Sequence, residues 1–334
     1  MQAIVRPARR VPVAAGLVAA GLVAAGLASG LLAAVGAGPA LAAFPERPVK
    51  VIVPVQAGGA TDILARTFQK AVEEQKLLPQ PLTVVNVTGA AGAVGLRQIL
   101  DSPADGYTVG IWHTGLLPAA AMGVVDFDHR AFTMIARLAS TELGFAAAGG
   151  SPVPDLASLV AAAKARPEEV KNATNIGLSV HFVPLMFERV AGVRFRYVQT
   201  GGGSARLASL LGGHTDFSVF SIAEFIAYGS QLKPLVLFSE QRNAALPDLP
   251  TARELGFDLV YLEDQYLIGP KALPGEVVAT LLAAFGKALD APDVVKRYQE
   301  NQYLRTFTPG EAVAAEYDRR LAALRPIAAS LKKP

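Results

Sequence analysis

The stretch VPVQAGGATDILART, residues 53–67, passes from an apolar run through a glycine pair into a helical pattern. Gly58 and Gly59 let the main chain turn sharply and let a ligand approach the backbone. Thr61 or Asp62 suits the N-cap of a helix that begins near Ile63. The start of such a helix offers unpaired N–H groups and about half a positive charge, so a carboxylate or phosphate can sit there without a basic side chain. A phosphate-binding loop would place a lysine directly after the second glycine, yet none follows Gly59 until Lys70. A carboxylate is therefore the favoured anion, set against the plainer reading of a well-capped strand-to-helix turn.

The same alternation runs outward from this stretch. Strands are predicted at residues 49–54, 82–87 and 107–112, with helices at 62–74 and 92–100 between them. A second block places helices at 156–164, 182–190 and 205–211 and strands at 195–198, 215–220 and 234–238. Strands joined through helices of this length predict parallel sheets. Residues 133–138 and 266–268 read as strands connecting the blocks, and helices at 275–289 and 310–331 return to the first. The fold class is α/β, with two lobes, a double crossover and a ligand cleft between them, an arrangement that permits hinge closure. The boundaries fall at residues 1–42 (leader), 43–142 plus 265–334 (first lobe) and 143–264 (second lobe).

The leader carries Arg6, Arg9 and Arg10 with no acid, then VAAGL three times over residues 13–27, and ends in Ala40-Leu41-Ala42. A basic start, an apolar middle and a small-residue exit describe a secretory signal peptide cleaved near Ala42; uncleaved, the segment is long enough to anchor the chain in a membrane. Export to the periplasm follows from the first reading. The chain's formal charge of +3 falls to zero once the three leader arginines are removed. The mean hydropathy of +0.35 is likewise concentrated in the leader. Nucleic-acid binding loses its compositional support. With no cysteine there is no disulfide framework and no thiol nucleophile.

Other motifs fall short of catalysis. Residues 87–95, VTGAAGAVG, place Gly89, Gly92 and Gly95 three apart and miss the dinucleotide fingerprint. TGGGSARL, residues 200–207, reads as a second loop at a helix start. GLSVH, residues 177–181, is not a nucleophile elbow, so an exported hydrolase using Ser179 or Ser204 is the weaker reading. The four histidines lack metal-ligand spacing. His113 alone stands out, because it directly follows a predicted parallel strand, where clefts form. No cofactor or metal is expected.

The ordered set FPERPVKVIVP, AGGATDILAR, NVTGAAGAVGLRQI, PADGYTVG, GGGSARLASLLGGHTDFSVF, ALPDLPTARELGF and LIGPKALPGEVVATL resembles the extracytoplasmic solute receptors of the tripartite tricarboxylate transporter family. That resemblance implies a periplasmic-binding-protein fold of type II-like organisation, a monomer, no chemistry, and capture of a small carboxylated solute for membrane permease subunits; a partner in membrane signalling would share the fold. It implies ligand contacts from Gln56, Gly58, Gly59, Ala60, Thr61 and Asp62, and from His113, Thr114 and Gly115. In the second lobe it implies Gly177, Ser179, Gly201, Gly202, Gly203, Ser204 and Asp216. The chain departs from the family at Val55-Gln56-Ala57, at Ala60, near Leu117 and at Glu263-Asp264-Gln265. These acids are expected either as solvated rim residues or as partners of an amino or hydroxyl group on the ligand.

Overall fold

The computed structural model describes residues 44–331; the leader reading lies outside them. Two three-stranded parallel sets are joined by two long antiparallel strands. The first set comprises β1 (Val49–Val53), β2 (Leu82–Asn86) and β3 (Thr108–His113), with β1 in the middle. The second comprises β5 (Lys171–Thr174), β6 (Arg196–Gln199) and β7 (Phe217–Ser221), with β5 in the middle. Between them run β4 (Phe132–Ala148) and β9 (Leu262–Pro270), paired antiparallel from Phe132↔Pro270 to Glu142↔Leu262. β9 also pairs antiparallel with β3, and the far half of β4 with β7 and with β8 (Leu232–Leu237). The short β10 (Thr308–Pro309) lies against β4. The expectation of purely parallel pairing therefore holds within each set and fails at the two connecting strands, which run opposite ways because the chain crosses once in each direction.

β4 is far longer than the predicted strand. Both of its faces are buried over most of its length from Ile135 onward, and polar residues such as Ser140, Thr141 and Glu142 fall in succession there, so it carries no alternation to mark its length. In β1 the pattern VKVIV is likewise buried at every position but Lys50.

The helices follow their apolar spacing. In α1 (Ala60–Glu74) Leu64, Ala65, Phe68, Ala71 and Val72 form one buried stripe. It packs with Val277, Leu281 and Phe285 of the returning helix α8 (Gly275–Ala288). α2 (Ala93–Leu100) buries Leu96 and Ile99. Three short helices escaped the sequence reading: α3 (Leu116–Met122), α7 (Ile222–Tyr228) and α9 (Pro292–Glu300). The second set is covered by α4 (Leu156–Ala165), α5 (Ser179–Ala191) and α6 (Gly203–Leu211). Its core centres on Phe145, whose ring meets Phe187, Phe217 and Phe238 edge-on.

The last helix, α10 (Gly310–Leu331), does more than return to the first set. Tyr317, Leu321 and Leu324 share one core with Trp112, Leu117 and Tyr266 and also with Phe182 and Leu185 of α5. The described residues thus fold as one compact unit.

Candidate functional site

The turn after β1 has the expected glycine pair, Gly58 exposed and Gly59 half-buried, but its helix starts earlier than predicted. α1 begins at Ala60, Gly59 is the extended N-cap, and no side chain caps it. The first intrahelical bond runs from the Ile63 amide to the Gly59 carbonyl, which leaves the Ala60, Thr61 and Asp62 amides without intrahelical acceptors. Gly58 holds φ +82°, a left-handed conformation glycine adopts without strain. Gln56 is exposed and its carbonyl accepts from the Gly59 amide at 3.2 Å.

Asp62, a cap candidate in the sequence, is buried and fully engaged. Its carboxylate accepts from the Gly58 amide at 2.8 Å, from Arg66 Nε at 3.1 Å and from Asn86 Nδ2 at 2.8 Å. Burial pushes its pKa up, but the Gly58 amide, Arg66 and Asn86 outweigh that and hold it below the ordinary carboxylate value. Asp62 shapes the turn and has its charge neutralised inside the protein.

Three side chains spaced two apart along one segment gather three separate turns. Thr61 Oγ1 donates to Gln265 Oε1 at 3.0 Å. His113 Nδ1, at the end of β3, lies 2.8 Å from Glu263 Oε1. Tyr261 donates its phenol to Ser179 Oγ at 3.0 Å, at the first residue of α5 after the turn from β5. Strand alternation puts Gln265 and Glu263 on one face of β9, and Thr141 of β4 lies opposite Glu263 in the register. Two oxygens there are shielded from solvent and have no hydrogen-bond partner: Glu263 Oε2 and Thr141 Oγ1.

The opposite face of the same strands is a closed charge network. Asp264 is completely buried and accepts from Arg320 Nη1 at 2.8 Å, from Tyr317 at 3.2 Å and from Ser140. Arg137 stands 3.8 Å away, and both arginines reach Glu316. Burial raises the Asp264 pKa against the pull of Arg320, Ser140 and Arg137. The rim reading of Asp264 is thereby corrected, since it lies in the core between β4, β9 and α10. Glu263 keeps about 15% side-chain exposure and is not a solvated rim residue either.

The remaining predicted positions divide. Thr114 is buried and clamps β9, its amide donating to the Asp264 carbonyl at 3.0 Å and its Oγ1 accepting from the Asp264 amide at 2.7 Å. The Gly115 amide lies 3.0 Å from His113 Nδ1. Gly177, at φ +90°, points its amide at His181 Nδ1 across 3.4 Å. Burial lowers the His181 pKa to about 4. Ser179 is bonded to Tyr261 rather than to His181, so the arrangement holds no Ser–His pair of the hydrolase kind.

The loop Gly201–Ser204 follows β6, and the Gly201 amide reaches the Thr174 carbonyl of neighbouring β5 at 3.4 Å. Gly202 is the N-cap of α6, with no side-chain cap. Gly203 is packed so closely that an added Cβ would stand 2.1 Å from Glu224 Oε1. Ser204 is exposed. Beneath this loop Arg206, 6% exposed, donates to the Gly201 carbonyl at 3.2 Å and pairs with Glu224 at 3.4 Å.

Asp216 lies away from these turns. Its carboxylate accepts from the Lys171 amide at 2.7 Å at the first residue of β5. The β5–α5 turn lies at the other end of that strand, so Asp216 pins the far edge of the sheet. Tyr261, Thr141 and Arg206 were not foreseen as site residues. The alternation of Tyr261, Glu263 and Gln265 was the available signal for the first of them.

A cavity of about 650 Å³ opens elsewhere, lined by Glu142, Leu262, Asn243, Tyr298, Leu304 and Arg305. Glu142 and Leu262 alternate with Thr141 and Glu263, which places this cavity off the face where the turns converge. Among the described residues no helix is long and apolar enough to cross a membrane.

Residues 64–310 match the model of the tripartite tricarboxylate transporter family receptor, TctC. The chain belongs to that receptor family. A UPF0065 protein from the gbd 5′ region of Cupriavidus necator is 30% identical over 259 residues, covering 75% of this chain and 77% of the relative. A TctC solute-binding protein from Polaromonas, solved without ligand, is 31% identical with a TM-score of 0.74, covering 85% of this chain and 98% of that one. MatC from Rhodopseudomonas palustris, solved with bound malate, is 25% identical with a TM-score of 0.72, covering 85% of this chain and all of that one. The α/β fold of the described residues is shared with these solved structures.

Proposed function

We propose that this TctC-family chain is an exported periplasmic receptor that captures a small carboxylated metabolite and delivers it to the permease subunits of a tripartite tricarboxylate-type transporter. The observation that carries the reading is the convergence of two turns on one face of β9, with a third bonded to Tyr261 just before the strand. The first of these turns also presents three helix-start amides with no side-chain cap. The malate carried by MatC supports the ligand class.

In this reading the ligand carboxylate sits on the amides of Ala60, Thr61 and Asp62, reached past Gln56, Gly58 and Gly59. His113 and Gly115 flank it on one side. Gly177, Ser179 and the Gly201–Ser204 loop approach from the other. Asp62 and Thr114 hold the frame, and Asp216 drops out of the site. Residues 43–142 with 265–334, and 143–264, act as two lobes whose relative motion is absorbed where β4 and β9 cross. Binding by main-chain dipoles and hydroxyls, with the nearby charge of Asp62 already neutralised, gives modest affinity, which suits a receptor that must release its cargo.

Thermal unfolding against a library of organic and amino acids tests this. A ligand at a hundredfold excess over its Kd stabilises the folded state by about 2.7 kcal/mol. A library in which no carboxylate moves the unfolding curve would remove the ligand class.

A further inference from the structure

The receptor reading leaves two buried oxygens unexplained. Glu263 shares one carboxylate oxygen with His113 at 2.8 Å, while its other oxygen, Oε2, is shielded and unpartnered. Across the strand pair Thr141 is 9% exposed, with its Oγ1 equally unpartnered. Buried polar atoms without partners are costly, about 1–3 kcal/mol each and more for a charged group. Adjacent positions in the fold show how the chain treats such groups when they serve structure alone: Asp264 and Asp62 are each met by three donors or more. Glu263, partly buried with its Oε2 shielded, is by contrast left half satisfied, and it stands on the face where the turns meet.

We propose that Glu263 Oε2 and Thr141 Oγ1 receive a hydrogen-bond donor of the ligand, so that the cargo is a monocarboxylate bearing an amino or hydroxyl group rather than a dicarboxylate. This rests on the receptor reading of the same site. A carboxylate oxygen with no partner accepts from an ammonium or a hydroxyl and repels a second ligand carboxylate. Spacing bounds the ligand. Gln265, which holds the Thr61 turn, and Glu263 are two residues apart on β9, roughly 7 Å along an extended strand. The carboxylate and the donor are therefore a few covalent bonds apart. Thr141, able both to donate and to accept, completes the donor's shell without fixing which of the two groups it is.

The test uses matched probes on the mature protein, titrated by calorimetry: succinate and glutarate, 3-aminopropanoate and 4-aminobutyrate, and 3-hydroxypropanoate and 4-hydroxybutyrate. The proposal expects an amino or hydroxy acid to bind at least tenfold more tightly than the dicarboxylate of the same length. It also expects Glu263→Gln to weaken that probe by 10- to 100-fold, as loss of a charge-assisted hydrogen bond does, and to improve the dicarboxylate. Thr141→Val keeps the side-chain shape and should cost the same probe a few-fold. Unfolding curves of the ligand-free variants confirm that both fold. Dicarboxylates binding as tightly as the donor-bearing acids, or a ranking that Glu263→Gln leaves unchanged, overturns the proposal while the receptor reading stands. Failure of every carboxylate to bind overturns both. Amino and hydroxy arms separate the two donors.

Discussion

Glu263 and Asp264 are neighbours in the chain and opposites in environment. Asp264 points between β4, β9 and α10, where two arginines, a tyrosine and a serine close around it. Glu263 points to the other face, where His113 takes one oxygen and nothing takes the other. Alternation along a single strand converts two adjacent acids into a structural charge and an available one. The side of β9 that faces α10 is saturated by these partners, and the side that faces the turns keeps an unpartnered oxygen.

The sharpest way to break this contrast is to neutralise each acid in turn. Asp264→Asn leaves Arg320 and Arg137 with reduced compensation in a mostly buried site, and removing one partner of such a pair typically costs about 3–5 kcal/mol. Glu263→Gln, one residue away, should change the stability of the ligand-free protein by less than about 1 kcal/mol, because it removes a charge that was only half compensated. Denaturant titrations of the two variants measure the difference. Equal losses would show that both acids are structural.

The next effect separates the β5–α5 turn from the Asp264 network by pH. Burial holds the His181 pKa at about 4 in the folded protein, against about 6.5 in the unfolded chain. Between those values the unfolded state binds the extra proton, so stability is full above pH 6.5 and is lost as pH falls toward 4. The loss amounts to about 3 kcal/mol. The ring faces the Gly177 amide and the Tyr197 edge, neither of them charged at these pH values. His181→Phe should flatten the slope between pH 6.5 and 4 in a series of unfolding curves, whereas Asp264→Asn should steepen it, because the raised Asp264 pKa lets the folded state take up a proton as pH falls and so opposes the His181 loss. A slope unchanged by His181→Phe would assign it to other groups.

Much of the fold was legible because its signals are local. The β1 turn shows itself in two glycines between a β-branched run and an amphipathic pattern, and His113 in its place at the end of a strand. The long strand β4 was cut short because burial on both faces erased its period. The helix Leu116–Met122 contains a proline and too few turns to declare itself. The site was less legible because its bonds are remote. Thr61 meets Gln265 across 204 residues and His113 meets Glu263 across 150. Asp264 looked like a rim acid because Arg137 and Arg320, which bury it, lie in distant segments. Asp216 was placed in the cleft by resemblance, and only the register of β5 with β7 shows that it stands at the other end of the sheet.

The smallest expected effects refine the contrast within the β1 turn, where Thr61 and Asp62 repeat it on the scale of adjacent residues. Asp62→Ala frees the Gly58 amide, Arg66 and Asn86 together, and should cost about 1–2 kcal/mol as well as weakening ligand binding through a loosened turn. Thr61→Val keeps the branched shape and removes only the bond to Gln265, so its stability cost should stay near or below 1 kcal/mol. Its effect on binding is the informative one. If the Thr61 hydroxyl works by holding the turn against β9, Thr61→Val and Gln265→Leu weaken binding by similar factors, and the double variant is little worse than either. Fully additive losses in that double-mutant cycle would mean that the two side chains act on the ligand separately and that β9 does not organise the turn.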